Sequence, residues 1–167
     1  MNELVQKAIN EQINAELMAS YTYLAMALHC DHLNFPGCAR WLRLQSAEEY
    51  SHAMKLVDFM LDRHCRVNLT TIKEPQSDFE SLQEVFEITF EQEQQTSRLI
   101  DNLYSLAHEQ KAYAALPQLE WFLTEQVEEE KTARQILAKF RLVQNDPASL
   151  LEIDRELGGR APEARGE

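Results

Sequence analysis

The chain has 167 residues, 44% of them hydrophobic, which suits one domain with a packed core and excludes a disordered chain. Its 28 acidic residues outweigh 16 lysines and arginines for a formal net charge of -12, so the basic stripe of a nucleic-acid binder is missing. Three cysteines without a Cys-x-x-Cys spacing argue against a disulfide framework or structural zinc, and fit a reducing cytoplasm.

The opening "MNELVQKAIN" carries no basic segment leading into an apolar core, and no apolar run approaches the roughly 18 residues of a membrane span. A soluble cytoplasmic protein is expected. With only 4 Gly and 5 Pro, long helices are favoured over many short strands.

In chain order, the first helix is expected from about Glu3 to His32, stopping at a turn made by Pro36 and Gly37. The second runs from about Cys38 to Cys65. A polar stretch, "RVNLTTIKEPQS", follows, and Ser77 or Asp78 can cap a third helix reaching about Gln110. The fourth runs to about Val143 with Pro117 tolerated near its start. Asp146 as N-cap and Pro147 at the first position open a short fifth helix ending before Gly158. Short links make hairpins of helices one and two and of three and four; the longer second link can run the length of a bundle. The expected fold is all-α: a four-helix bundle with one long crossover and a short fifth helix. Residues 1–157 form the domain, and 158–167 a flexible tail.

Side chains two turns apart lie almost over one another on a helix. Four such rows emerge: Ile9, Glu16, Tyr23 and Cys30; Leu42, Glu49 and Leu56; Phe86, Glu93 and Ile100; and Phe122, Glu129 and Ile136. One glutamate interrupts each apolar row near mid-helix, so aligned helices bring four carboxylates to one level. Buried and ionised without partners, each costs several kcal/mol. No Lys or Arg shares the row centres, and bound cations are the simplest compensation. His52, one turn after Glu49, faces the same way and can grip the same ion. Oxygen ligands with one imidazole suit iron or manganese, and zinc less specifically. Gln126, one turn before Glu129, can add a neutral oxygen or a hydrogen bond. Glu48, Glu125 and Glu128 lie beside these rows, either as surface acids or as a weaker third metal site. Tyr23 serves either as a packing residue or as a hydrogen-bonding electron donor beside the metals. Trp121 serves either in the same way or, as the default expectation, by packing in the core.

The segments "NEQINAELMASYTYLAMA", "AEEYSHAMKL", "FEQEQQT" and "WFLTEQVEEEK" resemble the four helix motifs of prokaryotic non-haem ferritins, and the resemblance extends to "DPASLLEIDREL". It implies a first iron site at Glu16, Glu49 and His52, with Glu49 bridging to a second at Glu93 and Glu129, beside Gln126. It also implies a third site at Glu48, Glu125, Glu128 and Glu129, and it matches Tyr23 to the tyrosine next to the family's ferroxidase centre. The activity implied is oxidation of Fe2+ to Fe3+ by O2 or peroxide, with a ferric mineral stored in a hollow homo-oligomer of twenty-four subunits. Tyr50, following Glu49, stands where a bacterioferritin carries its haem-binding Met, so no haem is expected, and neither is a nucleic-acid or membrane partner. Two other readings stay open: a manganese or mixed-metal redox enzyme without mineral storage, and a non-catalytic helical shell or interaction protein.

Overall fold

In the computed structural model, which describes residues 1–161, five helices and no strand form among the described residues. They are α1 (Glu3–His32), α2 (Pro36–Asp62), α3 (Leu82–Glu109), α4 (Leu116–Val143) and α5 (Pro147–Gly158). None is long and apolar enough to cross a membrane.

Local chemistry explains most of the ends. Asn2 caps α1 by accepting from Leu4 N at 2.8 Å, and Asp146 caps α5 by accepting from Ser149 N at 2.9 Å. The third helix starts later than Ser77 or Asp78 would place it. Ser81 is its cap, accepting from Glu84 N at 3.1 Å, while the Glu84 carboxylate accepts from Glu80 N, so two backbone donors are satisfied at this start; the Ser77 hydroxyl instead donates to the Pro75 carbonyl. Pro36 and Gly37 also do not form the first turn. Asn34 makes it, at φ 62°, and Pro36 opens α2 at its first position. Gly37 is required for another reason: a Cβ there would lie 1.7 Å from the backbone oxygen of Asp154, so only a glycine lets α5 dock on the start of α2. Asp154 completes that joint by accepting from Cys38 N at 2.7 Å.

The core is split. One cluster holds Tyr23, Cys30, Leu42, Phe86, Ile136 and Phe140, closed off by Ile153 and Leu157 of α5. The other holds Ile9, Ile13, Leu56, Met60, Ile100, Leu119 and Phe122. On every long helix the mid-helix glutamate falls between a residue of one cluster and a residue of the other. The order of the clusters also sets direction: α1 and α4 run one way, α2 and α3 the other. Because α2 and α3 are parallel, the link 63–81 must travel the length of the bundle, about 40 Å for a helix of this size.

Asparagines of α1 hold that crossover down. Asn10 accepts from Asn68 N at 2.7 Å and donates to its carbonyl at 2.8 Å; Asn14, one turn on, accepts from Thr70 N at 2.8 Å. Ser20 and Ser46 exchange hydroxyl-to-carbonyl hydrogen bonds of 2.7 and 2.8 Å, which draws α1 and α2 close beside the glutamate layer. Of the expected tail, Gly158 still belongs to α5 and Arg160 packs back onto α2; residues 162–167 lie outside the described residues.

Candidate metal centre

The glutamate layer is buried. Glu16, Glu49, Glu93 and Glu129 are each between 1% and 6% exposed, and His52 is 4% exposed. Each reaches the interior because the apolar residues two turns to either side fix the helix face that turns inward. Glu16, Glu49 and His52 come together, with a ligand atom from each within 4.8 Å of the others. His52 Nδ1 lies 3.3 Å from Glu49 Oε2. Glu93 and Glu129 fall outside that 4.8 Å grouping, but their charges act on each other and on Glu49.

Protein donors hold one side of the carboxylates. Gln12 donates to Glu16 Oε1 at 2.8 Å, and Gln45 to Glu129 Oε2 at 3.0 Å. Tyr23 donates its hydroxyl to Glu93 Oε1, and Gln126 Nε2 lies 3.2 Å from both Glu93 Oε2 and the Glu93 carbonyl. The inward oxygens are different. Oε2 of Glu16 and Oε2 of Glu49 take no hydrogen bond from a protein donor, and a proton shared between the two groups is the relief available inside the protein.

The electrostatics follow from that packing. Burial raises the carboxyl pKa of Glu16, against the hydrogen bonds that lower it. Burial, and then the charges of Glu16 and Glu93, push Glu49 well above the carboxylate range. Glu93 rises to about 7 through burial, opposed by the Tyr23 and Gln126 hydrogen bonds; Glu129 rises to about 8 through burial and the Glu93 charge. Burial raises Tyr23 well above the usual phenol, helped by Glu93. His52 falls to about 4 through burial and the nearby Lys55 charge, so it is a neutral imidazole at neutral pH with a lone pair to give. Crowded, desolvated carboxylates keep their protons until a cation offsets their charge, and with a neutral imidazole beside them they offer that cation a ligand set.

A second grouping shares His52. Glu48, His52 and Glu125 also offer ligand atoms within 4.8 Å of one another. Glu128 and Glu129 stand apart from it: Glu128 is largely exposed and pairs with Lys131 at 3.3 Å, while Glu129 turns to Gln45. Trp121 departs from core packing. It is 36% exposed, its ring edge-on to His52 at 5.3 Å and the Lys55 amine 4.1 Å over its face, so it shields the imidazole from solvent.

Three residues that matter here escape a motif reading. Gln12 and Gln45 sit one turn before Glu16 and Glu49, a readable spacing. Arg160 gives no such signal. It arrives from beyond α5, donates to Gln45 Oε1, and pairs with Glu48 at 2.8 Å.

The similarities to known proteins agree with this geometry. Residues 6–143 match the model of the ferritin-like domain. The chain is 35% identical over 164 residues to a probable bacterial non-heme ferritin-like protein of Haemophilus influenzae, covering 98% of this chain and 99% of that one. It is 34% identical over 154 residues to the bacterial non-heme ferritin of Staphylococcus aureus (strain USA300), covering 92% and 93%. Among solved structures, the open pore ferritin of the archaeon Archaeoglobus fulgidus superposes with a TM-score of 0.94 at 39% identity, over 96% of this chain and 98% of that one. A bundle with one long crossover, a buried carboxylate layer and these relatives lead to one conclusion: the chain belongs to the ferritin family, on its prokaryotic non-haem branch.

Proposed function

We propose that this protein is a catalytic iron-storage ferritin, taking Fe2+ as substrate at the glutamate layer and storing the oxidised product. The observation that carries this reading is the pair of inward oxygens, Glu16 Oε2 and Glu49 Oε2, buried without a donor beside a neutral His52. Glu16, Glu49 and His52 would bind one Fe2+. Glu49 would bridge to a second ion held by Glu93 and Glu129, with Gln126 alongside. Each Fe2+ of the pair gives one electron to O2, which takes up protons and leaves as peroxide, or gives it to peroxide itself. Carboxylates favour the more highly charged Fe3+ and so pull the oxidation forward. Tyr23, hydrogen-bonded to Glu93, orients that ligand and stands where an electron donor would be useful. Glu48, Glu125, Glu128 and Glu129 would form the outer site through which iron moves to or from the pair, with His52 shared by the outer group. Storage requires a hollow homo-oligomer; a cage of twenty-four copies in the cytoplasm is the form we propose, without haem.

The test is aerobic addition of Fe2+ to the metal-free protein while absorbance and native mass are followed. Rapid oxidation of about two ions per chain in a large assembly, with further iron retained, is the expected result. Rapid oxidation without retention would favour a redox enzyme lacking a store. Oxidation at the buffer rate would leave only a structural shell.

A further inference from the structure

Arg160 brings a guanidinium to the outer group, and its surroundings are built to hold it. Its Nη2 lies 2.8 Å from Glu48 Oε2, with the two side chains only 21% and 8% exposed. Its Nη1 donates to Gln45 Oε1, and the guanidinium lies over the Trp41 ring at 5.2 Å. The backbone is fastened too: Arg160 N donates to Leu157 O at 3.2 Å, and Arg40 Nη2 reaches the Arg160 carbonyl at 3.5 Å. An arginine two residues beyond a terminal helix would ordinarily extend into water. This one lies in the wall of a cleft of about 500 Å³ that Glu125, Glu128, Glu129 and Glu156 also line, which leaves room for a hydrated ion beside it.

We propose that Arg160 sets the occupancy of the outer site: its guanidinium stands in for the outer cation and is displaced when a divalent ion binds Glu48. The inference rests on the reading of the glutamate layer as an iron centre. Arginine cannot shed its charge in a protein, so it makes way only by moving. A positive charge within ~4–6 Å lowers a carboxylate's affinity for a proton by roughly one to three powers of ten, and it weakens the hold on a metal cation in the same direction. The movement also reaches the inner pair. With its carbonyl oxygen taken by Arg160, the Gln45 amide must turn Nε2 to Glu129, 3.0 Å away. When Arg160 leaves, that orientation loses its support, so an ion at the outer site is felt at Glu129. Arg160 is thus a positioning residue for the inner pair and the competitor at the outer site.

The test titrates metal-free, full-length protein with Zn2+ alone by calorimetry, in the parent and in Arg160→Gln and Arg160→Lys. The parent is expected to take up about two ions tightly and a further one weakly. Arg160→Gln should tighten the weak step by about tenfold or more and leave the tight steps in place. Arg160→Lys keeps the charge but loses the forked contact with Gln45 and Glu48 and the stacking on Trp41, so it should tighten the weak step clearly less than Arg160→Gln does. In the parent, filling the weak step should also speed trypsin cleavage after Arg160, read by mass. An unchanged weak step in Arg160→Gln, an equal gain in both variants, or cleavage indifferent to Zn2+ would each overturn the proposal while leaving the metal centre intact. Failure of all three proteins to bind Zn2+ would overturn the metal centre and this proposal with it.

Discussion

The Tyr23 hydroxyl on α1 donates to the Glu93 carboxylate on α3, and Tyr23 is wholly buried. The bond crosses the bundle at the level where the apolar core divides. It lowers the cost of a charge that burial would otherwise push back onto its proton. Tyr23→Phe keeps the ring and removes only that donor. A hydrogen bond to a charged group contributes about 1.5–3 kcal/mol, so Zn2+ affinity of the inner pair should fall roughly tenfold or more. Fe2+ oxidation should slow with the helix content unchanged. Circular dichroism with calorimetry checks both, and parent-like affinity would remove Tyr23 from the centre.

Glu49 is pressed by burial and by the charges of Glu16 and Glu93, so its neutral isostere should suit the metal-free fold better. Glu49→Gln is expected to raise the melting temperature of the metal-free protein by a few degrees, about 1–2 kcal/mol. The same change should abolish the rapid oxidation phase and the stabilisation brought by Zn2+. A variant less stable without metal would show that the carboxylate has a partner other than an ion.

The metal-free protein should lose stability as pH rises. Glu93 and Glu129 have folded values near 7 and 8, above the ordinary 4.5. Between those limits the folded state holds more protons than the unfolded one, so stability is fullest below about 4.5 and drains through 7 and 8. His52, lowered to about 4, acts oppositely, but only up to its ordinary 6.5. The net slope from pH 5 to 8 is therefore downward. Urea unfolding at several pH values measures it; a flat or rising profile would contradict the assignment. Metal uptake at neutral pH should accordingly release protons, seen as a buffer-dependent binding heat.

Asn14 accepts from Thr70 N at 2.8 Å and Thr70 Oγ1 at 3.1 Å, and donates to Asn68 O at 3.1 Å. Asn14→Ala should cost about 1–2 kcal/mol, given the solvent access of these bonds. Faster protease cleavage between Arg63 and Ser81, with the helices intact, is the diagnostic outcome. Cleavage at the parent rate would mean that Asn10 alone suffices.

Gly37→Ala places a methyl group where the Asp154 carbonyl sits, and backbone cannot give way as a side chain can. The fifth helix should undock, at a cost of about 3 kcal/mol. Slower Arg160 capture follows, so trypsin should cut after Arg160 in this variant without added metal. Retained protection would show that α5 is held mainly by Ile153 and Leu157.

The sequence exposes the helices and the glutamate layer because both follow from local periodicity. Asp146, Pro147 and the rows through Glu16, Glu49, Glu93 and Glu129 need only spacing to be read. The start of α3 is set by Ser81 accepting from Glu84 N while the Glu84 carboxylate accepts from Glu80 N; Ser77, despite Glu80 three residues on, turns its hydroxyl to the Pro75 carbonyl. Gly37 reads as a turn glycine and is instead a contact glycine, since its reason lies in α5. Trp121 reads as core, because no local pattern foretells the Lys55 amine over its ring. Arg160 is the clearest loss: its partners Gln45 and Glu48 lie more than a hundred residues earlier, a distance that periodicity does not bridge.

The divided core has a mechanical consequence. Each long helix is a rod packed by apolar side chains toward both ends, with the polar glutamate layer at its middle. An iron ion held there, as proposed, would change its charge and its preferred bond lengths on oxidation. Glutamate side chains in that layer can change their reach by rotation while the apolar packing on either side stays in place. On the proposed reading, the two apolar blocks are the fixed frame and the carboxylate layer is the adjustable jaw between them.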